Sequence, residues 1–175
     1  MKRVMILGQP GAGKSTLARL MGEKTGLPVF YMDLIHWLPG WVERDKSEKI
    51  ALAHEVESRD VWIFEGGLSA TYDNRLSRAD TLIALDFPLW LRAWRVFKRT
   101  LRDYGRSCVD LPENCPEQFD PEFWRWIWNT RKINRDRMLA MAETAPAEKQ
   151  VFILRTPRQV RKFLRTLDVR EKTAL

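Results

Sequence analysis

Along the chain, short runs of apolar residues alternate with longer segments whose apolar positions recur at helical spacing. Val4–Leu7 reads as a first strand and Ser15–Lys24 as a helix stopped by Gly26. Pro28–Met32 reads as a second strand, Asp45–Arg59 as a weakly amphipathic helix, and Val61–Phe64 as a third strand. Residues 69–78 fit a short helix or a loop, and Thr81–Phe87 a fourth strand. Pro88–Tyr104 is predicted to be a long helix, because proline is tolerated in a first turn. Gly105, Pro112 and Pro116 make 105–120 a loop. Asp120 then caps a second long helix, 121–142, with Pro121 at its first position. Val151–Leu154 is the fifth strand, and Thr156-Pro157 opens a last helix with Val160, Phe163, Leu164 and Leu167 on one face. This alternation predicts an α/β fold whose parallel sheet is covered on both faces.

At 175 residues the chain is expected to form one compact domain, 1–175, with room for a real core. No repeat or linker divides it. No run approaches the roughly 18 apolar residues of a membrane span. Met1-Lys2-Arg3 leads straight into the first strand, without the apolar core of a signal peptide. A cytoplasmic protein with no membrane partner is therefore expected, a monomer or weak dimer, with Cys108 and Cys115 as reduced thiols. Two cysteines, with His36 and His54 distant, fall short of the four ligands of a structural zinc site, so none is expected. The net charge of +7 changes the picture more, because the excess lies beyond residue 91. Such a half points to an anionic partner, either nucleotide phosphates or nucleic acid.

The strongest chemical signal is Gly8-Gln9-Pro10-Gly11-Ala12-Gly13-Lys14-Ser15, which fits G-x-x-x-x-G-K-[ST] between a predicted strand and a predicted helix. In such a P-loop the glycines let the backbone approach a phosphate, and amides of the helix start, Thr16 included, point at it. Lys14 would reach the β- and γ-phosphates, and the Ser15 hydroxyl would ligate Mg²⁺. ATP and Mg²⁺ are thus the expected cofactors.

Three acids, Asp33, Glu65 and Asp86, end predicted strands, at the sheet edge where ligands bind in open α/β folds. Glu65 is the expected partner of Ser15 at the metal. Arg92, Arg95, Arg99 and Arg102 share one face of helix 88–104, at i, i+3, i+7 and i+10. Trp90, Ala93, Trp94, Phe97 and Leu101 lie opposite and are expected in the core. Arg131 and Arg135 are i, i+4 neighbours on the next helix. Arginine-bearing helices flanking a loop suggest a lid, at about 102–130, that brings cations to a migrating phosphoryl group. Arg95, Arg99, Arg131 and Arg135 are the candidates, beside Lys14. Trp37 and Trp41, in a loop-like stretch after the second strand, are placed to stack on an acceptor or to pack.

With Lys14, Asp33, Trp37, Pro39-Gly40-Trp41, Glu65-Gly66 and Arg131 in view, the chain resembles the bacterial "DNA topology modulation protein" family, a branch of the adenylate-kinase-like P-loop kinases. The resemblance covers about residues 3–165 and includes Leu154-Arg155-Thr156. It implies a three-layer P-loop NTPase fold, with a five-stranded parallel sheet in order 2-3-1-4-5 and a helical lid. It also implies Arg155 and Thr156 at the nucleotide, and Asp33, Trp37, Trp41, Glu65, Gly66 and Arg75 around an acceptor. The chain departs from the family in Glu65-Gly66, where an aspartate is usual. After the second strand, where adenylate kinases place an arginine for a monophosphate, it has His36 and Trp37. AMP is therefore a poor expectation as acceptor.

The expected activity is an ATP-dependent phosphotransferase, moving the γ-phosphoryl group to a small nucleoside, nucleotide or sugar. The alternative is a nucleic-acid-associated regulatory P-loop ATPase, which the family name suggests. No helix-turn-helix, zinc finger or RNA-recognition signature supports it. A degenerate nucleotide-binding module is disfavoured by the intact Lys14 and Ser15.

Overall fold

The structure, a computed structural model, describes residues 1–106 and 111–173. The elements run β1 (Arg3–Gly8), α1 (Lys14–Thr25), β2 (Val29–Tyr31), α2 (Met32–His36), β3 (Trp37–Leu38), β4 (Val42–Glu43), α3 (Lys46–Ser58) and β5 (Trp62–Glu65). A single 3-10 turn (Ser69–Thr71) precedes α4 (Tyr72–Arg78) and β6 (Thr81–Leu85). Then come α5 (Leu89–Asp103), α6 (Pro121–Glu143), β7 (Gln150–Leu154) and α7 (Pro157–Thr173). Five strands form one parallel sheet in the order β2-β5-β1-β6-β7. With the β3–β4 hairpin set aside, this is the 2-3-1-4-5 order that the family resemblance implies.

The central strands are apolar throughout because both of their faces are covered. On β1, Val4 and Ile6 face one side, where Leu17, Ala18 and Met21 of α1 meet Phe163, Leu164 and Leu167 of α7. Met5 and Leu7 face the other side, against Ala53 and Val56 of α3 and Met138 and Ala142 of α6. Asp120 caps α6 by accepting from the Glu122 N–H, with Pro121 at the helix start. Among the described residues, no helix is long and apolar enough to cross a membrane.

Two expectations need correction. The second strand is shorter than predicted: Met32 starts α2 instead of ending a strand, and the stretch to Trp41 holds a hairpin rather than a loop. The faces of α5 are reversed. Trp90, Trp94 and Leu101 are 71%, 58% and 66% exposed, whereas Arg92, Val96 and Thr100 are buried. The reason is that α5 docks on polar backbone. Arg92 donates to the carbonyls of Phe87 (3.1 Å) and Pro10 (3.3 Å), and Thr100 donates to Glu117 (2.8 Å). The α5–α6 connection is irregular, as expected, and is anchored where it is described. Gly105 N–H bonds to the Glu117 carbonyl and Glu117 N–H to the Arg106 carbonyl, both at 2.9 Å, and Cys115 is fully buried. Cys108 lies outside the described residues.

Candidate functional site

The P-loop runs from the end of β1 to the start of α1, and neighbouring elements hold its shape. Gly11 has φ 76°, and a Cβ there would fall 2.3 Å from the Arg92 carbonyl oxygen, so only glycine fits against α5. The Ala12 N–H bonds to the Gln9 carbonyl at 3.0 Å. Gln9 itself donates from Nε2 to the Arg131 carbonyl of α6 at 2.7 Å. Gly8 lies beside Leu85 of β6, and Gly13 caps α1. Lys14, Ser15 and Thr16 form the first turn of α1, where amide N–H groups have no partner within the helix.

Ser15 donates from its hydroxyl to Glu65 Oε1 at 3.2 Å. Glu65 ends β5, between Ile6 of β1 and Tyr31 of β2, and is 1% exposed. The chain thus brings a hydroxyl and a carboxylate together at the mouth of the P-loop, from positions fifty residues apart. Two hard oxygen donors of this kind suit Mg²⁺.

The expected cations divide. Arg95 lies over the P-loop: its guanidinium donates to the Ala12 carbonyl at 3.3 Å and covers the Phe87 ring at 4.9 Å. Burial lowers its pKa from the usual value. Arg99 is instead drawn to Glu117 at 3.1 Å. Arg131 folds over the Trp128 ring at 3.8 Å and donates to the Trp128 carbonyl, so its backbone, not its side chain, meets the P-loop. Arg135 grips Asp86 with two bonds, 2.6 and 2.8 Å, and Arg155 approaches the same carboxylate at 3.5 Å. The Arg135 bonds hold the Asp86 carboxyl below the usual carboxylate range, against the opposing effect of burial. Thr156 accepts the Gln159 N–H, while Gln159 Oε1 accepts the Thr156 N–H, a reciprocal cap for α7.

On the β2 side, Asp33 is exposed in the first turn of α2. Trp37 packs edge-on against His36 and Trp41, with centroids 4.7 and 5.4 Å apart. The assignment of Trp41 as a stacking platform gives way to a clasp. Its N–H donates to Cys115 Sγ at 3.3 Å and its indole N–H to the Pro116 carbonyl at 3.1 Å, tying the hairpin to the α5–α6 connection. Arg75 is likewise corrected. It is 0% exposed and bonds Glu57 (3.1 Å), the Gly66 carbonyl (2.8 Å) and Thr71 (3.0 Å), so it cannot meet a substrate. It positions Gly66, which has φ 100° and where a Cβ would fall 2.5 Å from Met32 Cβ.

Sequence reasoning missed a cavity of about 580 Å³ between the hairpin, the start of α3, loop 68–70 and α6. His36, Glu43, Lys46, Lys49 and Arg137 line it. Lysines three apart on a weakly amphipathic helix gave no signal, because their convergence with Arg137 is tertiary.

No protein-family model matches the chain, and no curated protein matches it. Solved structures do. Shikimate kinase from Acinetobacter baumannii, in complex with shikimate, is 15% identical, with 100% of this chain and 96% of that one covered at a TM-score of 0.56. Shikimate kinase from Bacteroides thetaiotaomicron is 17% identical, with 99% of each chain covered at a TM-score of 0.52. This is the P-loop kinase fold. At such identities the likeness is one of architecture, and chemistry must be argued from this chain's own residues. Within the P-loop kinase fold, the described site puts Lys14, Ser15, Glu65 and Arg95 at the phosphate loop and leaves Asp33 and the basic cavity on the β2 side.

Proposed function

We propose that the protein is an ATP-dependent kinase of small molecules, transferring the γ-phosphoryl group of ATP to an acceptor bound beyond β2. The observation that carries this reading is the Ser15–Glu65 contact at 3.2 Å, directly after a P-loop shaped by Gly11. Backbone amides of residues 11–16 would cradle the phosphates, at the positive end of α1. Lys14 would sit on the β- and γ-phosphates and Arg95 beside the loop, where cations favour the charge of the transferring group. Ser15 and Glu65 would hold Mg²⁺, Ser15 directly and Glu65 directly or through water. When bound, that ion neutralises charge between the β- and γ-phosphates.

Asp33 would orient the acceptor hydroxyl and accept its proton late in transfer. Trp37 and Gly66 would border the acceptor, and Arg155 and Thr156 the nucleotide. Arg99, Arg131 and Arg135 would serve the phosphates only after exchanging their present partners, as a closing lid over 102–130 would require. The cytoplasm is the compartment where such a kinase would meet ATP. The resemblance to the DNA topology modulation family keeps a regulatory ATPase as the alternative, but no observation of the site favours it. Release of ADP, measured against a panel of nucleosides, nucleoside monophosphates and sugars, tests the proposal. Acceptor-dependent release supports it, and release indifferent to every acceptor refutes it.

A further inference from the structure

We infer that the acceptor is an anion, whose carboxylate or phosphate seats in the cavity among Lys46, Lys49 and Arg137. The inference rests on the kinase reading for its place in the reaction, but its grounds are separate.

Lys49 is the first ground. It is 4% exposed, and lysine is almost never buried to that degree unless paired. Its ammonium meets Glu43 Oε1 at 2.5 Å, yet the Glu43 side chain is itself 59% exposed. One solvated carboxylate on the rim is a poor reason to sink an ammonium into a wall, because desolvating the charge is costly. Lys46, one helical turn before Lys49, and Arg137, from α6, line the same space, so its lining holds three cations and the Glu43 carboxylate. Burial, and then the charge of Lys49, pull the His36 pKa below its ordinary value, opposed by Glu43 and Asp33. The imidazole therefore adds no further positive charge at neutral pH, and it offers a neutral hydrogen-bonding edge. An oxyanion entering the cavity would complete the charge balance that Glu43 begins, through charge-assisted hydrogen bonds.

The second ground is place. Loop 68–70 starts just past Glu65, whose carboxylate takes the Ser15 hydroxyl. Helix α6 touches the P-loop at Arg131, and Arg137 lies less than two turns further on, about 9 Å along the axis. A small molecule anchored by its anion at Arg137 and Lys49 could thus present a hydroxyl towards the phosphate loop. The volume of about 580 Å³ suits a metabolite-sized ligand, for which pockets run roughly 300–1,000 Å³. Leu68 and Ala70 add apolar atoms to its lining.

The test uses the whole protein saturated with ADP, so that the P-loop does not compete for the probes. Matched sets share a scaffold: a hexose, its 6-phosphate and its aldonate, and a nucleoside with its 5′-monophosphate. Binding is read by calorimetry. The anionic member of at least one set should bind about tenfold or more tightly than its neutral parent, and the phosphate and carboxylate arms assign the group. In Lys46→Ala/Arg137→Ala, whose altered side chains are not core, that preference should vanish while ADP affinity stays. Lys49→Met should do the same, and if it fails to fold the double variant decides. Equal binding of neutral and anionic members, no binding of any anionic member, or a preference that survives in the double variant would overturn the inference. A protein that binds no ADP refutes the kinase reading instead, and the same panel without nucleotide still reports on the cavity.

Discussion

Asp33 and Asp86 both follow sheet strands, yet the structure gives them opposite surroundings. Asp86 is buried and gripped by Arg135, whereas Asp33 stands exposed at the start of α2. In Asp33→Asn, shape is kept and charge removed. The proposed role predicts unchanged ATP affinity and melting temperature, with transfer slowed about 10²-fold or more. Near-normal transfer would make Asp33 only a polar residue of the helix start. For Asp86 the sign of the pH dependence follows from its depressed pKa. The stabilisation is fully present above the ordinary carboxylate value of about 3.9 and is lost as pH falls through the lower native value. Asp86→Asn should therefore melt below the parent protein at pH 7, with the gap closing below about pH 4. A gap independent of pH would show that the Arg135 pairing does not supply it. The P-loop was legible in the sequence because its parts are contiguous. Arg75 and Arg135 were not, because their partners, Glu57 and Asp86, lie 18 and 49 residues away.

Helix α5 shows where pattern reading fails for a physical reason. An apolar stripe normally marks the buried face, and Trp90, Trp94, Phe97 and Leu101 form one. Here the helix instead packs its arginine and threonine side on loop backbone, whose carbonyls need donors. Trp94→Ser should then leave the melting temperature nearly unchanged, as exposed substitutions usually cost within about 0.5 kcal/mol. Arg92→Ala should lower it clearly, because the buried carbonyl of Phe87 and the partly buried one of Pro10 lose a charged donor. Thermal melts of the two variants decide, and the reverse order would restore the pattern-based faces. The hairpin was illegible for a related reason. Its strands are two residues long, and its tip is secured by Trp41 to Cys115 and Pro116, seventy-odd residues away.

The architecture as a whole was the most legible level, since apolar strands alternating with helices admit few arrangements other than a parallel sheet covered on both faces. Net charge was less informative. Several of the basic side chains already have partners within the chain, with Arg92 on carbonyls, Arg99 on Glu117 and Arg135 on Asp86. Duplex DNA should accordingly bind no more tightly than the non-specific range, about 10⁻⁴–10⁻⁶ M, with a marked salt dependence. A sequence-selective complex at nanomolar concentration, seen by fluorescence anisotropy, would favour the regulatory alternative.

The proposed kinase requires a triphosphate resting on the loop from Gly8 to Ser15. Calorimetry of ATP with Mg²⁺ on the parent protein and on Lys14→Ala tests this directly. Loss of one charge-assisted contact, worth about 1.5–3 kcal/mol, should weaken binding roughly ten- to a hundredfold while leaving the fold intact. Equal affinity in both proteins, or no affinity in either, would contradict it.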